Sequence, residues 1–168
     1  DILHNGMFSD PVLLGRYSDF NPLLTPFLHY LTDVSPEDLA IMSQPLDFYG
    51  FNYYFPTRIA PGSGPSTGPH AIPEGVPEHM LEDSPDLPFH ITGWPQYDRT
   101  AFGWPIAPEY LAVALTEMAN RYPGLPPVFI TEGGASFPDV VVQDALTMEP
   151  HVADVNRINY LGDHLAAA

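Results

Sequence analysis

An apolar, β-branched run that breaks on an acid and two glycines constrains this chain more than any other feature: Phe129-Ile130-Thr131-Glu132-Gly133-Gly134-Ala135-Ser136. It predicts a strand over Val128–Thr131, and the glycines let the backbone turn away from the strand tip without a β-carbon clash. In barrels and doubly wound α/β folds the carboxyl ends of parallel strands carry the chemistry. Glu132 is therefore the first candidate for a working residue. The competing reading is a helix N-cap or turn acid after a buried strand.

A second strand is predicted within Leu46-Asp47-Phe48-Tyr49-Gly50-Phe51-Asn52-Tyr53-Tyr54, bounded by Pro45 and Pro56. The run is apolar on both alternating faces, as in strands covered on each side by helices. Asn52 and Tyr54 are two apart, so they point to one side of that strand, toward the end where Glu132 emerges from its neighbour.

Helices separate and follow these strands. Ser35-Pro36-Glu37-Asp38 has the serine, proline and acids of a helix start. Pro108 opens a helix in which Leu111, Ala114, Leu115, Met118 and Tyr122 recur at helical spacing until Pro123-Gly124 stops it. A last helix is predicted from about His151 to Ala167, with Val152, Val155, Ile158, Leu161 and Leu165 as its apolar stripe. Upstream, Asp1 to Tyr17 reads as a loop with a short helical piece, and Phe20 to Thr32 as a helix broken near Pro26. The segment 56–103 has no periodicity and reads as one long strand-to-helix loop, whose Trp94, Tyr97 and Trp104 are expected to pack back on the body. The order is a βαβα unit. Two parallel strands with their helices cannot cover both sheet faces or satisfy both edges, so the expectation is a slice of a larger barrel.

Composition narrows the partners. Twenty-one acidic residues face five arginines and no lysine, a formal net charge of −16. Without a basic cluster, binding to nucleic acid or an anionic membrane is not expected. The acidity fits an ordinary soluble protein or a salt-adapted one, which salt-dependent melting separates. No cysteine occurs, which excludes disulfides and thiolate chemistry. No two histidines have the His-x-x-x-His spacing of a zinc helix, and Glu74, Glu78, Glu82, Asp83 and Asp86 lack the glycine-centred spacing of a calcium loop. No metal or cofactor is expected. No apolar run is long enough to span a membrane, and a cytoplasmic setting is the expectation. The chain opens on Asp1 instead of methionine, which leaves room for sequence upstream.

Five separate motifs, in order, resemble the family 1 glycoside hydrolases, which include β-glucosidases, β-galactosidases and 6-phospho-β-glucosidases on a (β/α)8 barrel. Phe8-Ser9-Asp10-Pro11-Val12 with Gly15-Arg16-Tyr17 resembles the entry to the fifth helix. Leu46–Tyr54 resembles the sixth strand, and Gly103-Trp104-Pro105-Ile106-Ala107-Pro108-Glu109 the start of the sixth helix. Ile130–Ser136 is similar to the seventh strand's Thr-Glu-Asn-Gly signature, with Gly133 where the family usually has asparagine. Asp154, Arg157, Tyr160, Leu161, His164 and Leu165 match the seventh helix. The resemblance implies an α/β fold that is a partial (β/α)8 TIM barrel. Residues 1–168 would be a fragment of one glycosidase domain, from about helix 5 to helix 7, with two parallel strands and the long loop at 56–103. It implies that Glu132 is the nucleophile of a retaining β-glycosidase, that Tyr54 donates its hydroxyl to that carboxylate, and that Asn52 lines the pocket near the sugar hydroxyls. The implied partner of the complete enzyme is a small β-linked saccharide or glucoside.

What the resemblance implies is incomplete here. A retaining mechanism needs two carboxyl groups about 5 Å apart. The family's acid/base glutamate sits in an Asn-Glu-Pro motif, which occurs nowhere in this sequence. Glu109 and Glu117 fall on the helix after Pro108, in dipole-compensating and solvated positions that do not replace it. The isolated chain is therefore expected to be inactive. The rival expectation is a non-catalytic sugar-binding or interaction module derived from the barrel. The sugar, the aglycone and the oligomeric state are not legible, although the scarcity of cations counts against phosphosugars.

Overall fold

A computed structural model describes residues 5–17, 31, 33–62 and 88–168. The helix expected over Phe20–Thr32 lies almost wholly outside these residues, and the acid cluster from Glu74 to Asp86 entirely so. The chain divides into two compact units, Asp1–Phe51 with Glu117–Phe129, and Asn52–Thr116 with Ile130–Ala168.

In the first unit, α1 (Met7–Leu14) ends at Gly15, whose φ of 64° is a left-handed cap that a β-carbon disfavours. Helix α2 (Pro36–Met42) starts as its sequence dictates: Ser35 Oγ accepts the Asp38 N–H at 3.1 Å, and Pro36 occupies the first turn. The two helices pack together. Asp10 is 1% exposed and lies at the centre of a polar knot. Its carboxylate accepts Arg121 Nε at 3.0 Å and Nη2 at 2.7 Å, and the Tyr122 hydroxyl at 2.9 Å. This two-pronged hydrogen bonding raises the Arg121 pKa above its usual value. Beside the knot, Ser9 Oγ and the Tyr49 hydroxyl are 2.8 Å apart, and Phe48 meets Phe129 edge to face.

Strands β1 (Tyr49–Asn52) and β4 (Val128–Glu132) pair side by side. They run in the same direction: Tyr49 N–H donates to Pro127 O at one end and Tyr53 N–H to Glu132 O at the other. Helix α3 (Glu109–Arg121) connects them in sequence, giving the expected order of strand, helix and parallel strand. Burial on both faces is not found among the described residues. β1 alternates between half-buried and exposed positions, and Phe129 and Ile130 are exposed.

The second unit corrects three expectations. First, the segment 56–103 is not structureless, because β2 (Arg58–Pro61) pairs antiparallel with β3 (Phe89–Thr92), Ile59 opposite Ile91. Four-residue strands that are about equally exposed on both faces leave no period-2 signal, and Pro61 is tolerated at the strand end. Second, β5 (Val141–Gln143) and β6 (Pro150–Val152) form another antiparallel pair where the sequence predicts a loop and the start of the last helix. Helix α4 accordingly spans Val155–Ala167, with Asp154 as its N-cap. The described residues thus hold six strands, two of them parallel. Third, Val152, Val155, Ile158, Leu161 and Leu165 are all exposed, and the face of α4 that packs carries Tyr160 and His164. Aromatic rings with polar tips bury well when those tips find partners, so apolar spacing alone misjudged the face.

The core of this unit comprises Tyr53, Trp94, Ala107, Leu111 and Tyr160. Trp94 donates its indole N–H to Pro56 O at 2.9 Å and packs against Tyr97 and Tyr110, so the end of the long connection does fold back. No helix among the described residues is long and apolar enough to cross a membrane.

Candidate active site

Glu132 is the last residue of β4, and its side chain is exposed. The Tyr54 hydroxyl donates to its Oε2 at 2.6 Å. That hydrogen bond, more than the partial desolvation, raises the Tyr54 pKa above the usual phenol value, because a phenolate would have to face the carboxylate. Glu132 forms no ion pair among the described residues, and its Oε1 has no hydrogen bond there.

Asn52 ends elsewhere. Its Oδ1 accepts the Thr131 hydroxyl at 2.7 Å, on the neighbouring position of β4. The structure therefore joins Tyr54 to Glu132, as expected, and engages Asn52 with Thr131. Glu109 takes the Tyr97 hydroxyl in the first turn of α3, which pushes Tyr97 up to about 12. Glu117 is exposed on the same helix.

Several contacts fix the strand ends. The Tyr54 ring meets Trp104 edge-on at 5.5 Å, and Trp104 also packs against Phe55 and Phe102. The Tyr160 hydroxyl donates to the Tyr54 carbonyl at 2.8 Å. Arg157 reaches the chain leaving Glu132, donating to Ala135 O at 3.3 Å and Phe137 O at 3.4 Å, while Asp154 and Asp139 flank its guanidinium. Those carboxylates raise the Arg157 pKa. The Ala101 N–H donates to Ser136 O at 2.8 Å, tying the loop before α3 to the loop after β4. Tyr160 and Arg157 belong to the seventh-helix motif in the sequence, yet no local signal there shows what they hold.

Gly133 and Gly134 serve the turn after β4 in different ways. Left-handed backbone is not what Gly133 supplies, since the positive φ of 151° belongs to Gly134. A β-carbon on Gly133 would lie 3.3 Å from the Tyr53 carbonyl oxygen, so the constraint there is space.

Two cavities flank this region. One of about 380 Å³ is polar, lined by Tyr97, Asp98, Phe137, Asn156, Asn159 and Asp163 among others. The other, about 210 Å³, is apolar, with Tyr53, Leu111, Ile130, Tyr160, Leu161 and Leu165 in its wall. Glu132, Tyr54 and Asn52 line neither. Among the described residues no group of three histidine or acidic side chains is placed to hold a metal ion.

The sequence pattern described as Glycosyl hydrolase family 1 matches residues 1–168, the whole chain. The chain belongs to this family. It is 31% identical to beta-glucosidase A of Thermotoga maritima over 96% of its own length and 30% of that enzyme's. It is 32% identical to the bifunctional beta-D-glucosidase/beta-D-fucosidase of Bifidobacterium breve over 99% of its length and 34% of that protein's. Its fold is similar to that of the psychrophilic beta-glucosidase BglU from Micrococcus antarcticus, with a TM-score of 0.74 and 31% identity, covering 99% of this chain and 34% of that one. The chain thus spans about a third of the family members it matches, and a partial (β/α)8 barrel fits its α/β structure.

Proposed function

We propose that this chain carries the nucleophile of a retaining β-glycosidase, with Glu132 as the attacking carboxylate. In this reading β1 and β4 are the sixth and seventh barrel strands, α3 and α4 the sixth and seventh helices, and α1 lies at the entry to the fifth helix. The observation that supports it most is the Tyr54–Glu132 hydrogen bond of 2.6 Å at the carboxyl end of two parallel strands. Tyr54 fixes Oε2, and Oε1 is left to attack the anomeric carbon. The carbon–oxygen bond to the leaving group breaks as the glycosyl ester forms, and water later cleaves that ester. Protonation of the departing oxygen requires a second carboxyl group about 5 Å from the first. Nothing at Glu109 or Glu117 meets that need, so the isolated 168-residue chain is inactive on this reading, and activity belongs to a longer polypeptide that supplies the acid. The names of the relatives point to β-glucosides or β-fucosides as its substrates. Asn52, exposed beside Thr131, lines the sugar site.

The test is an aryl β-glucoside assay on the longer polypeptide and on the isolated chain. In the longer protein Glu132→Gln lowers kcat by about a thousandfold or more, and azide restores turnover to a Glu132→Gly variant as the glycosyl azide. Undiminished activity in Glu132→Gln overturns the assignment, and turnover by the isolated chain overturns its inactivity. A second reading is a non-catalytic sugar-binding module. It requires sugar binding and a cooperative melt without hydrolysis.

A further inference from the structure

We propose that Tyr160 is a positioning residue for the Tyr54–Glu132 pair, acting through the backbone carbonyl of Tyr54. The inference rests on the reading of Glu132 as the nucleophile. β1 ends at Asn52, and the last ladder hydrogen bond beyond it is made by the Tyr53 N–H. Tyr54 therefore lies just past the point where the sheet holds the backbone, yet its phenol must meet one carboxylate oxygen at 2.6 Å. Trp104 meets the Tyr54 ring, and the Tyr160 hydroxyl grips its backbone, at 2.8 Å on the carbonyl. Tyr160 is 2% exposed, and a buried hydroxyl without a partner is unfavourable, so the ring is committed to this contact.

The donor is itself rigid. His164 stacks on the Tyr160 ring at 3.9 Å and 27°, and its Nδ1–H donates to the Tyr160 carbonyl at 2.7 Å. Phe137 closes another side of the ring, edge-on at 6.3 Å. One turn earlier on α4, Arg157 holds Ala135 O and Phe137 O, on the chain that leaves Glu132. Two side chains three residues apart on one helix thus grip the segment carrying the donor and the segment following the acceptor. The Tyr54 hydroxyl stands at the far end of its ring, so a small tilt of its backbone is magnified there. A misplacement of about 1 Å can lower the rate of a reaction on the order of a hundredfold.

The test follows the ionisation of Tyr54 in the 168-residue chain. Tyrosines are labelled with ¹³C at Cζ, the Tyr54 resonance is assigned with Tyr54→Phe, and the chain is titrated with alkali. Glu132→Gln brings the Tyr54 pKa down toward 10.0, the ordinary phenol value, because the hydrogen bond to Glu132 is what raises it. Tyr160→Phe, which keeps the ring and its stacking, is expected to remove most of the same displacement and to leave little for Glu132→Gln to remove in the double variant. In the longer polypeptide it lowers kcat about tenfold with little change in KM. Tyr122→Phe deletes a buried hydroxyl in the other unit and leaves the Tyr54 titration unmoved. If Tyr160→Phe leaves Tyr54 in place while Glu132→Gln moves it, the proposal is wrong and the nucleophile reading stands. If Glu132→Gln fails to move Tyr54, both fall, and if Tyr122→Phe shifts it as much as Tyr160→Phe, the effect is general loosening and the proposal falls. Should Tyr160→Phe not fold, 3-fluorotyrosine at position 160 keeps the donor at neutral pH and loses it at a lower pH than tyrosine does. The Tyr54 resonance then responds at that lower pH if the two are coupled, and indifference to it overturns the proposal.

Discussion

The two units each hold an acid that accepts a tyrosine hydroxyl, and the acids differ in every other respect. Asp10 is buried, and its oxygens are occupied by Arg121 and Tyr122. Glu132 is exposed, takes one hydroxyl from Tyr54, and keeps Oε1 free of any hydrogen bond among the described residues. A carboxylate whose lone pairs are all committed holds structure together but cannot attack anything. One held by a single oxygen is oriented and still available. On the proposed reading the first acid serves stability and the second chemistry.

The largest expected effects test that division directly. Glu132→Gln removes about three orders of magnitude or more of kcat in the longer polypeptide, yet changes the stability of this chain by less than about 0.5 kcal/mol. Asp10→Asn does the reverse. Its partner Arg121 is 32% exposed, so the loss is about 2–3 kcal/mol, below that of a fully buried pair. Urea unfolding of both variants measures this, and a destabilised Glu132→Gln with an intact Asp10→Asn reverses the comparison.

Gly15→Ala comes next, again in the first unit. At φ 64° a β-carbon is strained and would meet Ser43 Oγ at 3.2 Å, so a loss of about 1–2 kcal/mol is expected in the same unfolding assay. In the second unit, alkali should be the sharper probe. Tyr160 is pushed up to about 12 by burial first and then by Tyr54, so its folded value lies above the unfolded 10.0. Its stabilisation is complete below pH 10 and is lost as pH rises through about 12. The melting temperature is expected to fall across that window, and to fall less steeply in Tyr160→Phe.

The smallest effect lies in the turn between β5 and β6, where Asp144 accepts the Thr147 and Leu146 N–H groups and its pKa is lowered by them. A lowered carboxyl stabilises above its unfolded pKa and ceases to as pH falls through the folded one. Asp144→Asn should therefore flatten the acid side of the melting curve slightly. At neutral pH the variant should melt slightly lower than the parent, and the two should converge as the pH falls through the lowered pKa.

What the sequence discloses follows from how local the cause is. Ser35 and Pro36 announce α2 because a helix cap is settled within four residues. Glu132 is legible for the same reason, as the terminus of a β-branched run followed by glycines. Tyr160 is not, because the carbonyl it grips is 106 positions away and backbone carbonyls have no signature. The Asp10 knot is hidden likewise by a separation of 111 residues. β2 and β3 escape because four half-exposed residues carry no period, and the packing face of α4 escapes because its buried residues are a tyrosine and a histidine.

The close approach of Gly133 to its neighbour bears on how this chain can change. Placing at 133 the asparagine that the family resemblance expects would crowd the Tyr53 carbonyl oxygen, 3.3 Å from where the new β-carbon must go. The carbonyl belongs to the residue before Tyr54, so accommodating that side chain disturbs the backbone that aims the phenol. A side chain at 133 is thus conditional on an adjustment at 53 and 54, which ties the freedom of one strand end to that of its neighbour.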